Sequence, residues 1–135
     1  MPFIKVSENL FRTYAATYTE MDEGFWQKRV GHIVDINEFR FSFSPERTVY
    51  AFGGIEIVVT ELESGCELRR FHLDSVEAEQ FSTKEKVRNL FSNIALIVAD
   101  DIEKLGQENF IKITRRGKTK AFEICGPMPE IKEVG

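Results

Sequence analysis

Cysteine, proline, tryptophan and histidine are all scarce in this chain. Its 135 residues include 2 Cys, 4 Pro, 1 Trp and 2 His. Cys66 and Cys125 lie far apart and neither belongs to a CxxC pair. A structural zinc site needs more Cys or His at closer spacing. A domain of this length buries about two thirds of its unfolded surface and folds without disulfide or metal. The longest strongly apolar run, Ile94 to Ala99, is far below the roughly 20 residues of a membrane span. The first ten residues hold no basic patch followed by an apolar stretch, so no signal peptide is expected. These absences set the expectation of a cytoplasmic chain with free thiols and no membrane contact.

Phenylalanine, by contrast, is abundant. Twelve Phe stand against 3 Tyr and 1 Trp, so most rings lack a polar handle and belong in a core, a cavity or an interface. That many rings in one small domain leaves room for a homodimer contact. The net charge is −4, which argues against a general nucleic-acid binder. The average conceals an asymmetry. Lys112, Arg115, Arg116, Lys118 and Lys120 bring five positive charges with no acid among them. Taking those five from the net −4 leaves −9 on the rest, a distribution able to steer a charged partner.

Hydrophobic periodicity predicts the elements. Leu10, Tyr14 and Tyr18, with Phe11 and Ala15 and Ser7 as a cap, fit a helical face over residues 8–20, although Thr13, Thr17 and Thr19 favour a strand. Val30, His32, Val34 and Ile36 alternate as a strand, Asn37-Glu38 turns, and Phe39, Phe41 and Phe43 alternate with Arg40 and Ser42. Ser44-Pro45-Glu46-Arg47 reads as a turn. A strand follows from Thr48 to Leu62 with a bend at Gly53-Gly54, and Cys66 to Leu73 returns. Thr83 to Leu105 repeats apolar residues at three and four steps, with Ser82 and Glu85 spaced as a capping box and Gly106 as the stop. Ile111 and Ile113, then Phe122 and Ile124, flank Arg115-Arg116-Gly117-Lys118 in the pattern of a basic hairpin over 112–120. The expected fold is α+β. A β-meander and a C-terminal hairpin form a curled antiparallel sheet packed on one long helix, with 1–125 as one domain and 126–135 as an irregular tail.

The basic hairpin, Lys112, Arg115, Arg116, Lys118 and Lys120, is a candidate partner contact. Its ordinary alternative is protection of an exposed strand by cations. Trp26, beside Lys28 and Arg29, could anchor an interface or fill the core. Phe39, Phe41 and Phe43 could line a pocket or interface, or simply face the long helix. Arg70, His72 and Asp74 share a strand face, so His72 and Asp74 are the acid–base candidates. Asp100, Asp101 and Glu103, and Glu61, Glu63 and Glu67, fit solvated acids better than metal or glycosidase sites. Gly117-Lys118-Thr119 lacks the glycine that a phosphate-binding loop needs five residues earlier.

No nucleophile, metal set or cofactor fingerprint emerges, which weighs against an enzyme. The leading expectation is a small binding protein acting by protein–protein contact: an inhibitor, an immunity-type protein, a chaperone or an adaptor. The alternative is a small-molecule-binding protein or cofactorless enzyme with a Phe-lined cavity. Nucleic-acid contact through residues 112–120 ranks third.

Overall fold

The computed structural model describes residues 2–21, 23–47 and 54–134. Five strands come first: β1 (Ile4–Tyr18), β2 (Gly24–Ile36), β3 (Phe39–Arg47), β4 (Ile55–Glu61) and β5 (Glu67–Leu73). A 3-10 turn (Glu77–Phe81) leads to α1 (Lys84–Leu105), α2 (Gln107–Cys125) and a short β6 (Lys132–Val134). The strands form one antiparallel sheet in the order β5-β4-β3-β2-β1-β6, packed against the two helices. The fold is α+β with a meander, as the sequence predicts, but with two helices in place of one. No helix among the described residues is long and apolar enough to cross a membrane.

One face of the sheet carries the core. Val34, Ile36, Phe41, Phe43, Ile57 and Val59 are fully buried and share a cluster with Val87, Phe91, Ile94, Ala95 and Val98 of α1 and Phe110 of α2. The alternation of β2 to β4 therefore points its apolar row at the helices. The β2–β3 turn is made at Asn37, whose φ of 54° is one that Asn tolerates better than most side chains.

The sheet curls strongly. The β2–β3 ladder stops at His32↔Phe43, while β1 and β2 stay paired out to Tyr18↔Gly24. This arm folds back over the other strands. Thr13 Oγ1 donates to Ser42 Oγ across β2 (2.9 Å), and the Ala16 N–H reaches the Gly65 carbonyl of the β4–β5 turn (2.9 Å). Gly31 sits at the bend, where a Cβ would lie 2.2 Å from the Phe43 carbonyl oxygen.

Several expectations are corrected. Of residues 8–20, those as far as Tyr18 are strand, not helix. Leu10, Tyr14 and Tyr18 step by four, and a step of four keeps one face of a strand as well as of a helix. The supposed turn at Ser44–Arg47 continues β3, pairing through Arg47↔Ile55. Pro45 is tolerated because β2 has already left β3, so its missing N–H interrupts no ladder on that side. The strand expected from Thr48 lies outside the described residues as far as Gly53; Gly54 has a φ of 106° and β4 follows it.

The basic hairpin over 112–120 is instead part of α2. Its buried positions Phe110, Thr114 and Ala121 follow helical steps. Glycine within a helix costs about 1 kcal/mol relative to alanine, and here the structure supplies a reason for it. The Cys66 sulfur fills the space beside Gly117, 2.3 Å from where a Cβ would stand. The tail is only partly irregular, since β6 pairs with Leu10–Arg12 of β1. Thr83, not Ser82, caps α1, its side chain accepting from the Lys86 N–H (3.1 Å), and Gly106 ends α1 at a φ of 94°.

The β4–β5 turn holds a buried carboxylate. Glu61 is 7 % exposed and accepts from the backbone N–H groups of Glu63 (2.6 Å) and Ser64 (3.3 Å). Burial nevertheless holds its carboxyl above the ordinary glutamate range, outweighing those hydrogen bonds. A raised folded value means the protonated form favours folding. That contribution is complete below the ordinary glutamate pKa and fades as pH rises through the raised one. Glu61→Gln is therefore expected to raise the melting temperature at pH 7, with the gain over wild type vanishing near pH 4. Thermal unfolding across that range checks it, and an equal shift at both pH values would contradict it.

Candidate functional site

Helix α2 turns one face inward and the other to solvent. Lys112, Arg116 and Lys120 recur at four-residue steps and so form one stripe, with Arg115 and Thr119 beside it. All five are exposed, and Arg115, Arg116, Thr119 and Lys120 line a shallow depression with Glu123. Lys118 lies to one side, its ammonium 5.6 Å from the centre of the Phe122 ring. Lys120 lies 4.9 Å over Tyr18. Among the described residues none of the five cations comes within 4 Å of a carboxylate, whereas Arg29, Arg40, Arg69, Arg70, Arg88 and Lys104 each do. The structure thus gathers the five sequence candidates on one helix, across about 12 Å of its axis.

The other candidates scatter. Phe41 and Phe43 are fully buried; Phe43 meets Phe91 edge-on at 5.4 Å, while Phe39 and Phe41 approach Phe110 at 4.7 and 6.1 Å. This row faces the helices and is core. Trp26 packs edge-on against Phe122 at 5.5 Å, and its indole N–H donates to the Gly126 carbonyl (3.0 Å). It clamps the arm and the end of α2 together.

His72 is exposed on the edge strand β5, and Asp74 lies just past the end of that strand. Asp74 accepts from the Glu77 N–H (2.8 Å) while Glu77 accepts from the Asp74 N–H (3.3 Å). That reciprocal cap commits Asp74 to starting the 3-10 turn. Arg70 pairs with Glu46, Glu56 and Glu67. The acids near the end of α1 are likewise engaged, Asp101 by Arg69 (2.7 Å) and Asp100 by Lys104 (2.9 Å). No group of three or more His, Cys, Asp or Glu among the described residues is arranged to hold a metal.

Sequence reasoning passed over the other histidine. His32 stands in the apolar row of β2, and a titratable group in such a row was the one signal available. Opposite it the β1–β2 register jumps from Val6↔Val34 to Leu10↔His32, so Ser7 to Asn9 form a bulge. Ser7 holds that bulge: its hydroxyl donates to the Asn9 carbonyl (2.8 Å) and accepts from the Ile33 N–H (2.9 Å). The freed Ser7 carbonyl meets His32 Nδ1 at 2.8 Å. A carbonyl only accepts, so Nδ1 carries the hydrogen and the neutral ring keeps its lone pair on Nε2. The ring is fixed further by the edge of Phe91, 5.5 Å away.

No protein-family model, no curated protein and no solved structure matches this chain.

Proposed function

We propose that the chain is a small cytoplasmic binding protein that acts by protein–protein contact through the outward face of α2, against an acidic surface. The observation carrying this reading is the set of α2 cations that no carboxylate among the described residues pairs, in a chain whose remaining residues sum to −9. Such a face speeds encounter with an acidic partner and disfavours basic ones. Nucleic acid fits less well, because the acidic remainder repels a phosphate backbone. Inhibitor, immunity-type, chaperone and adaptor roles all use this kind of contact.

The test is the combined substitution Arg115→Glu, Arg116→Glu and Lys120→Glu, at exposed positions whose change leaves the core intact. The variant is expected to bind the native partner at least tenfold more weakly in low salt. Raising the salt should narrow that difference, since the screening length falls to about 3 Å at 1 M. Unchanged recovery of every native partner would remove α2 as the contact.

A further inference from the structure

The β1 bulge, β2 and the start of α1 line a half-open pocket of about 330 Å³. None of its lining residues belongs to α2, and it takes no part in the contact proposed above. Val6, Leu10, Phe81 and Val87 give it an apolar lining. Ser7, Ser82 and Thr83 add hydroxyl-bearing residues to that lining. Lys84 and Arg88, four residues apart on one face of α1, are the cations lining it, and His32 lines it from β2. The acid among the lining residues is Glu8, whose side chain is 83 % exposed and 3.9 Å from Arg88.

We infer that this cavity binds a small carboxylate with an apolar body. The volume is at the low end for ligand pockets and takes about a dozen non-hydrogen atoms. The apolar lining accepts the body and disfavours a bare inorganic anion. Lys84 and Arg88 supply the charge that holds a carboxylate. His32 supplies direction. Its Nδ1 is committed to the Ser7 carbonyl, and its Nε2 has no partner among the described residues. In its imidazolium form the ring offers Nε2–H as a donor to a carboxylate oxygen.

The bulge explains why such a site stands here. A regular ladder would use the backbone groups of Ser7 in pairing. The two-residue slip instead releases its carbonyl to lock the imidazole, as bulges do where a side chain must be re-aimed.

The probe is 4-phenylbutyrate, titrated into the intact chain and followed by the backbone amide signals. Saturable shifts at Ser7, His32, Lys84 and Arg88 are expected, with a Kd of about 1 mM. 4-Phenylbutanol, which keeps the body without the charge, and acetate, which keeps the charge without the body, should each bind at least tenfold more weakly. Lys84→Gln with Arg88→Gln should weaken phenylbutyrate at least tenfold. His32→Asn retains a donor for the Ser7 carbonyl but lacks Nε2, and should weaken phenylbutyrate binding measured at one fixed pH. Should His32→Asn perturb the fold, Leu10→Asp, at a position 40 % exposed, puts a like charge on the same lining and should abolish binding. The absence of saturable shifts up to 10 mM phenylbutyrate overturns the proposal. So do acetate or the alcohol binding as well as phenylbutyrate, shifts confined to α2, or a Leu10→Asp variant that binds normally.

Discussion

Gly31→Ala is expected to abolish cooperative folding. The added Cβ would stand 2.2 Å from the Phe43 carbonyl oxygen, 2.8 Å from its carbonyl carbon and 2.7 Å from Ser44 Oγ. The first two are backbone atoms of the neighbouring strand, held there by the adjacent pair His32↔Phe43. Relief therefore means pulling β2 from β3 at the bend. That movement also parts Thr13 from Ser42 and leaves the buried Thr13 hydroxyl without its partner, at a cost of about 1–3 kcal/mol. Together the effects exceed about 5 kcal/mol, a large share of the 5–15 kcal/mol that holds a domain of this size. Circular dichroism melting and amide-signal dispersion measure it directly. Gly117→Ala is the control. The atom it meets is the Cys66 sulfur, the end of a movable side chain, and alanine returns about 1 kcal/mol of helix propensity. That variant should fold. A Gly31→Ala protein melting within two degrees of wild type would mean that β2 does not approach β3 as described.

Phe91→Ala is expected to cost about 3–5 kcal/mol and to lower the melting temperature by roughly 10–20 °C. Phe91 is fully buried and meets three rings edge-on: His32 at 5.5 Å, Phe43 at 5.4 Å and Phe81 at 5.9 Å. These join β2, β3 and the 3-10 turn to α1, so removing the ring leaves a cavity that no single element can close. Denaturant unfolding should show a lower midpoint with an unchanged slope, since the folded and unfolded surfaces hardly change. A loss below about 1 kcal/mol would place the ring outside the core.

Where the sequence was legible, one periodicity dominated. Residues 83–105 carry apolar positions at helical steps for six turns, and nothing competes with that pattern. Phe39, Phe41 and Phe43 alternate too cleanly for anything but a strand. The misread segments are those in which both periods fit. Leu10, Tyr14 and Tyr18 satisfy helix and strand alike, and the choice fell to pairing with β2, which is a tertiary contact. In α2 the β-branched Ile111, Ile113 and Thr114 imitate a strand and Gly117 imitates a turn. The meaning of Gly117 lies in Cys66, far away in the chain.

The five cations of α2 stood out by composition alone. Their common helical face did not, because it depends on the element being a helix. His72 drew attention through Asp74, two residues on, yet that carboxylate caps a turn. His32 drew little, because the residue that orients it, Ser7, lies across a bulge that no local pattern announces.

The proposed partner contact is the outward face of α2. Its most direct test is co-purification from the native host with the wild-type chain and with the Arg115→Glu, Arg116→Glu, Lys120→Glu variant, side by side at one low salt concentration. Melting curves establish beforehand that both are folded. A specific acidic partner is expected with the wild type, reduced at least tenfold with the variant. Equal recovery from both would contradict it.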